Sequence, residues 1–73
     1  MKYEGKIYAF FPDRGFGFLY SNPGADGQAI SHFFHAANVA AGTPEVGKQV
    51  RFLHMPGKKG PIAIEVEVLG GGE

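Results

Sequence analysis

An all-β barrel or sandwich is the fold this sequence predicts, on three observations. Apolar and polar residues alternate over short runs, Gly and Pro interrupt those runs every dozen or so residues, and no segment carries the pattern of a long amphipathic helix. The runs divide into five strands, over 3–11, 15–20, 30–36, 47–55 and 62–69. The first covers "YEGKIYAFF" and the second "GFGFLY", where Phe16, Phe18 and Tyr20 share one face and Gly15, Gly17 and Leu19 the other. "NPGADG" (22–27) is a turn by composition, since Pro fixes φ and Gly supplies positive φ. The third strand leads into "HAANVAAGTPEVG" (35–47), in which "AANVAAG" can form one helical turn ended by Gly42. "PGKKGP" (56–61) is the turn between the fourth and fifth strands. In the last strand, Ile62, Ile64, Val66 and Val68 are expected on a core face, with Glu65 and Glu67 toward water.

Seventy-three residues make one small domain, and a chain of this size buries only about 60% of its unfolded surface. With no cysteine, neither disulfides nor thiolate-bound zinc can staple the fold, so strand closure must supply the stability. "MKYEGKIYAF" has no long apolar run and no small-residue cleavage pattern, which gives a soluble, cytoplasmic protein as the expectation, with no membrane partner. "GGGE" at residues 70–73 reads as a frayed tail or a cut linker. Lys+Arg and Asp+Glu both count 7, so net charge gives no electrostatic argument for nucleic-acid binding. Distribution matters more: Lys2, Lys6, Arg14, Lys58 and Lys59 lie near turns or early strands, and Glu65, Glu67 and Glu73 near the end.

The informative stretch is "DRGFGFLY" (13–20). Alternation leaves two arrangements open. Either Phe16 and Phe18 fill the core and two glycines face water, or the glycines face inward, letting the strand coil tightly, and the aromatics stand outside. An outward aromatic row marks a binding surface. "RGFGFLY" fits the start of the ribonucleoprotein pattern K/R-G-F/Y-G/A-F-V, with Leu19 for the usual Val. That motif also occurs in the RNA recognition motif, but there it lies late in a mixed α/β domain, and this chain offers no helices to complete one.

Over residues 4–69 the chain resembles a cold shock domain, of the kind found in bacterial cold shock-like proteins. "EGKIYAFFPDRGFGFLY" is similar to the family's opening strand, turn and first motif, "HFFHAANV" to its second motif, and "VGKQVRF" and "KKGPIAIEV" to its last two strands. A lone GFGF is weak evidence; these elements in this order and in a chain of this length are specific. The resemblance implies a five-stranded antiparallel oligonucleotide-binding (OB-fold) barrel over residues 1–70, with 71–73 a flexible tail. It also implies that Phe16 and Phe18 point outward and stack on unpaired bases.

The second motif has two placements. Phe33-Phe34-His35 puts Phe33 and His35 on the binding face and sends Phe34 and then Val39 to the core. Ile30-Ser31-His32 keeps the family's spacing to Gly47 but sends Ala29 and Ser31 inward, a poor filling for a small barrel. The first is favoured; it sets His32 where the family has an aliphatic residue. Ala9 stands where relatives carry a stacking tryptophan, and Ala36 where an aromatic usually follows the motif's histidine. Tyr8, Phe10 and Phe11 surround the first gap, and Tyr8 or Phe10 is the candidate substitute ring. Stacking contributes about 1–3 kcal/mol per base, so each uncompensated loss weakens binding by roughly 5-fold to 150-fold.

The expected partner is therefore single-stranded RNA or DNA, met by the rings of Tyr8, Phe10, Phe16, Phe18, Phe33 and His35, with Lys6, Arg14 and Lys59 on the phosphates. Such stacking tolerates sequence and disfavours duplexes, which is the basis of an RNA-chaperone role. A monomer is the expectation, with a dimer the alternative. No enzyme activity, cofactor or metal is expected. His32 and His35, three apart on a strand, face opposite sides and chelate poorly, His54 reads as a strand-edge residue, and "GKKGP" lacks the Ser or Thr of a phosphate-binding loop. The rival reading is an OB barrel that binds protein and has lost much of its affinity for nucleic acid; zero net charge and two missing rings favour it, and "RGFGF" and "FFH" oppose it.

Overall fold

The computed structural model describes residues 2–22, 27 and 29–69. The predicted turn over 22–27 therefore lies largely outside the described residues, as does the tail over 70–73. The strands are β1 (Tyr3–Phe11), β2 (Phe16–Ser21), β3 (Ser31–His35), β4 (Val39–Ala41), β5 (Gln49–Gly57) and β6 (Gly60–Val68). They are ordered β3-β2-β1-β5-β6-β4, and β3 also pairs with β6, so the five long strands close into a barrel. Long pairings are antiparallel; β3 meets β6, and β4 meets β6, over short parallel stretches.

All five expected strands form, with edges that differ for physical reasons. The "AANVAAG" stretch splits: Ala36–Asn38 make one 3₁₀ turn capped by the His35 side chain, and Val39–Ala41 then become β4 rather than more helix. The "PGKKGP" turn shrinks to Lys58-Lys59, because Gly57 pairs with Gly60 and Pro56 with Pro61. β1 pairs along both edges, with β5 over Tyr3–Lys6 and with β2 over Gly5–Phe11. Gly5 sits where the two pairings overlap. A Cβ there would lie 2.0 Å from the Tyr20 carbonyl oxygen, so the backbones approach more closely than any larger residue allows.

Ile7, Leu19, Phe34, Val50, Phe52, Ala63, Val66 and Val68 form the core, with Phe10 and Val39 packed against it. Each fully buried large side chain contributes about 1.5–3 kcal/mol. β6 departs from strict alternation. Arg51 pairs with Glu67 and Leu53 with Ile64, so Phe52 alone faces both Glu65 and Val66, and Glu65 takes φ 49°. This bulge shifts the pleat by one residue: Val66 and Val68 point inward as expected, but below the bulge Ala63 is the buried residue and Ile62 and Ile64 turn outward.

Candidate nucleic-acid interface

The one glycine of β2 decides that strand's facing. Gly17 is buried, and a Cβ there would lie 2.5 Å from the Ala9 carbonyl oxygen and 2.8 Å from the Phe34 ring. Phe34 fills the space a side chain at 17 would need. Leu19 is fully buried, so Phe16, Phe18 and Tyr20 stand on the outer face. On β3, Phe34 is fully buried and His35 is exposed, the facing expected of the Phe33-Phe34-His35 placement. Across the ladder Phe16 pairs with His35, Phe18 with Phe33 and Tyr20 with Ser31.

β1 completes the face through a bulge. Ile7 pairs with Leu19 and Ala9 with Phe18, leaving Tyr8 as the extra residue between them. Tyr8 and Ala9 consequently both lie on the outer side, Phe10 turns inward opposite Gly17, and Phe11 turns outward opposite Phe16. Tyr8 thus lies beside the Ala9 gap; Phe10 does not join it, because its ring stacks on the core ring Phe34 at 5.9 Å and 4°.

Six rings form one connected row. Tyr20 and Tyr8 stack at 4.2 Å, Tyr8 reaches Phe18 at 6.1 Å, Phe18 meets Phe16 edge-on at 6.0 Å, and Phe16 meets Phe11 at 5.3 Å. Phe33 packs against both Phe16 at 5.5 Å and Phe18 at 5.7 Å. Such spacings are those of mutually attractive aromatic pairs, so the rings hold one another in place. A 2.8 Å hydrogen bond between the Tyr8 hydroxyl and Ser31 Oγ further ties β1 to β3. His35 is fixed too: its Nδ1 accepts the Ala37 N–H at 3.3 Å. Arg14 and Gly15 both donate their N–H to the Phe11 carbonyl, and this tight turn brings the Arg14 guanidinium to 5.7 Å from the centre of the Phe16 ring.

Of the predicted residues, Tyr8, Phe16, Phe18, Phe33, His35 and Arg14 are brought together. Lys6 is exposed opposite Tyr20 at one end of the row. Lys59 stands in the β5–β6 turn, three residues before Ile62, which pairs with Phe33. Two rings were left out of the predicted set. Tyr20, 45% exposed, shares the visible alternation with Phe16 and Phe18, and that signal was enough to include it. Phe11, 42% exposed, depends on the β1 bulge, which the sequence does not mark.

The cations divide. Lys2 bonds Glu67 at 2.8 Å and lies 3.9 Å from Glu65, Arg51 faces Glu4 at 3.7 Å, and Lys48 faces Glu45 at 3.8 Å. The Lys2 hydrogen bond holds the Glu67 carboxyl below its ordinary value. Among the described residues, Lys6, Arg14, Lys58 and Lys59 have no acidic partner within ion-pair distance. No group of three or more His, Cys, Asp or Glu gathers for a metal among the described residues. None of the described helices is long and apolar enough to cross a membrane.

No protein-family model and no curated protein matches the chain. Among solved structures, it is similar to the Drosophila Unr fragment CSD456, with 23% identity and a TM-score of 0.72, covering 100% of this chain and 29% of that one. The chain thus spans less than a third of that neighbour's length. Its fold is that of the cold shock domains, a five-stranded OB barrel.

Proposed function

We propose that this chain is a cold shock domain of the bacterial cold shock-like kind that binds single-stranded RNA or DNA by stacking. One observation carries the reading: a connected outward row of Tyr20, Tyr8, Phe18, Phe33, Phe16 and Phe11, with Lys6 and Arg14 at its margins. An exposed aromatic row of this extent costs solvation unless something covers it, and every unpaired base offers a π-face. Phe16, Phe18, Phe33 and Tyr8 are the stacking residues, His35 and Phe11 extend the row, and Lys6, Arg14 and Lys59 meet phosphates. Phe10 supports the site from beneath by holding Phe34. Duplexes hide base faces, so the protein traps melted strands, the action of an RNA chaperone in the cytoplasm. It binds as a monomer.

A second reading, a barrel that uses this face for a protein partner, is favoured by the zero net charge and by the Tyr8–Tyr20 stack, in which each ring already covers the other at 4.2 Å. Titration with fluorescent single-stranded oligonucleotides at two salt concentrations, beside a duplex control, separates the two. Single-strand binding at micromolar or lower Kd, with the duplex much weaker, supports the stacking site. No single-strand binding at low salt overturns it in favour of a protein partner.

A further inference from the structure

The buried polar side chain His32 lies away from the aromatic row. It is 3% exposed, on the inner face of β3, with its ring edge-on to Phe52 at 5.0 Å. An imidazole so placed needs a partner at each nitrogen. Nδ1 lies 3.0 Å from the Ile30 carbonyl oxygen, which only accepts, so Nδ1 carries the proton and Nε2 is left with its lone pair. That lone pair faces Nδ1 of His54, on β5, at 3.3 Å. His54 is exposed, on the part of β5 that runs past its pairing with β1, and its ring is held by Tyr3 at 4.5 Å. Burial lowers the His32 pKa, favouring the neutral ring.

A neutral imidazole whose far N–H is fixed by a backbone carbonyl is the arrangement that metal-bound histidines adopt. Two nitrogens held at about 2.0–2.1 Å by one tetrahedral ion stand about 3.3 Å apart, the separation found here. We propose that His32 Nε2 and His54 Nδ1 form a two-histidine site for a divalent transition-metal ion of the zinc class, with water in the remaining positions. Imidazole nitrogens suit zinc, copper, nickel and cobalt rather than magnesium or calcium. In the empty site His54 Nδ1 donates its proton to His32. On binding, that proton moves to His54 Nε2, so both facing nitrogens present lone pairs. The ion would join β3 to β5, which are not hydrogen-bonded to each other, and so reinforce the barrel where β3 and β5 flank β6.

The test is a calorimetric titration of the full chain with Zn²⁺, with thermal unfolding followed by circular dichroism and ring-nitrogen NMR shifts at each histidine. The expected result is saturable one-to-one binding, a higher unfolding midpoint, and shifts at His32 Nε2 and His54 Nδ1. His54→Ala, at an exposed position, should fold and lose at least about tenfold in affinity, whereas His35→Ala should bind as the parent does. His32→Phe keeps the core filled and should also lose binding. The proposal is overturned by no saturable binding at millimolar Zn²⁺, by equal affinity in a folded His54→Ala, or by shifts confined to His35.

Discussion

β1 runs through two surfaces of opposite character. Near its start, Lys2 and Glu4 meet Glu65, Glu67 and Arg51, a surface of charges that satisfy one another. Past the bulge, Tyr8 and Phe11 join a row of rings whose flanking Lys6 and Arg14 have no acidic partner among the described residues. A surface whose charges are paired internally offers a polyanion little. A surface with stacking faces and available cations offers it both terms of binding, so zero net charge conceals an uneven distribution.

Mutating both Phe16 and Phe18 to Ala should break the contrast most severely. Two stacking contributions of about 1–3 kcal/mol each correspond to a loss of at least roughly 30-fold in single-strand affinity. Fluorescence anisotropy measures it, and unchanged affinity would move the site elsewhere. The adjacent residues Tyr8 and Phe10 sharpen it next. Tyr8→Ala should weaken binding by about fivefold or more and destabilise the barrel less than loss of the inward Phe10 ring does. Phe10→Ala should destabilise the barrel by roughly 2–3 kcal/mol, less than a fully buried ring because it is only partly buried. Urea unfolding beside the binding titration distinguishes them, and equal behaviour of the two would refute the bulge-determined facing.

Charge effects come third. Arg14→Ala should reduce the slope of log affinity against log salt by about 0.7, the single-strand value for one phosphate contact. Lys2→Ala should leave the slope unchanged, and a similar change in both would erase the distinction between the surfaces. The smallest effect concerns pH. Because Lys2 depresses the folded-state pKa of Glu67, this pair's contribution is present at neutral pH and is lost as pH falls through that depressed value. The stability difference between the parent and Glu67→Gln should therefore vanish in acid, as acid titration of the unfolding midpoint would record; a difference that grows in acid would contradict the pairing.

The five long strands were legible because they rest on period-two alternation, and Phe33-Phe34-His35 was the favoured placement because it sends the large ring of Phe34 to the core, where it is fully buried. The facing of Phe16 and Phe18 was not legible from alternation, since it turned on whether Gly17 had a ring above it, a tertiary fact supplied by Phe34. Each bulge adds one residue to a strand and reverses the faces beyond it. Hence Phe10 went inward instead of serving as a platform ring, and Ile62 and Ile64 left the core face expected for them. His32 looked misplaced in an aliphatic position because its partner, His54, is distant in sequence and meets it only in the closed barrel.

Backbone amide NMR during titration with a short single-stranded oligonucleotide tests most directly which surface binds. The account predicts the largest shifts at Tyr8, Phe16, Phe18, Phe33 and His35, fading toward Lys2, Glu67 and Arg51. Shifts concentrated on the Lys2–Glu67–Arg51 surface, or none at saturating oligonucleotide, would contradict it.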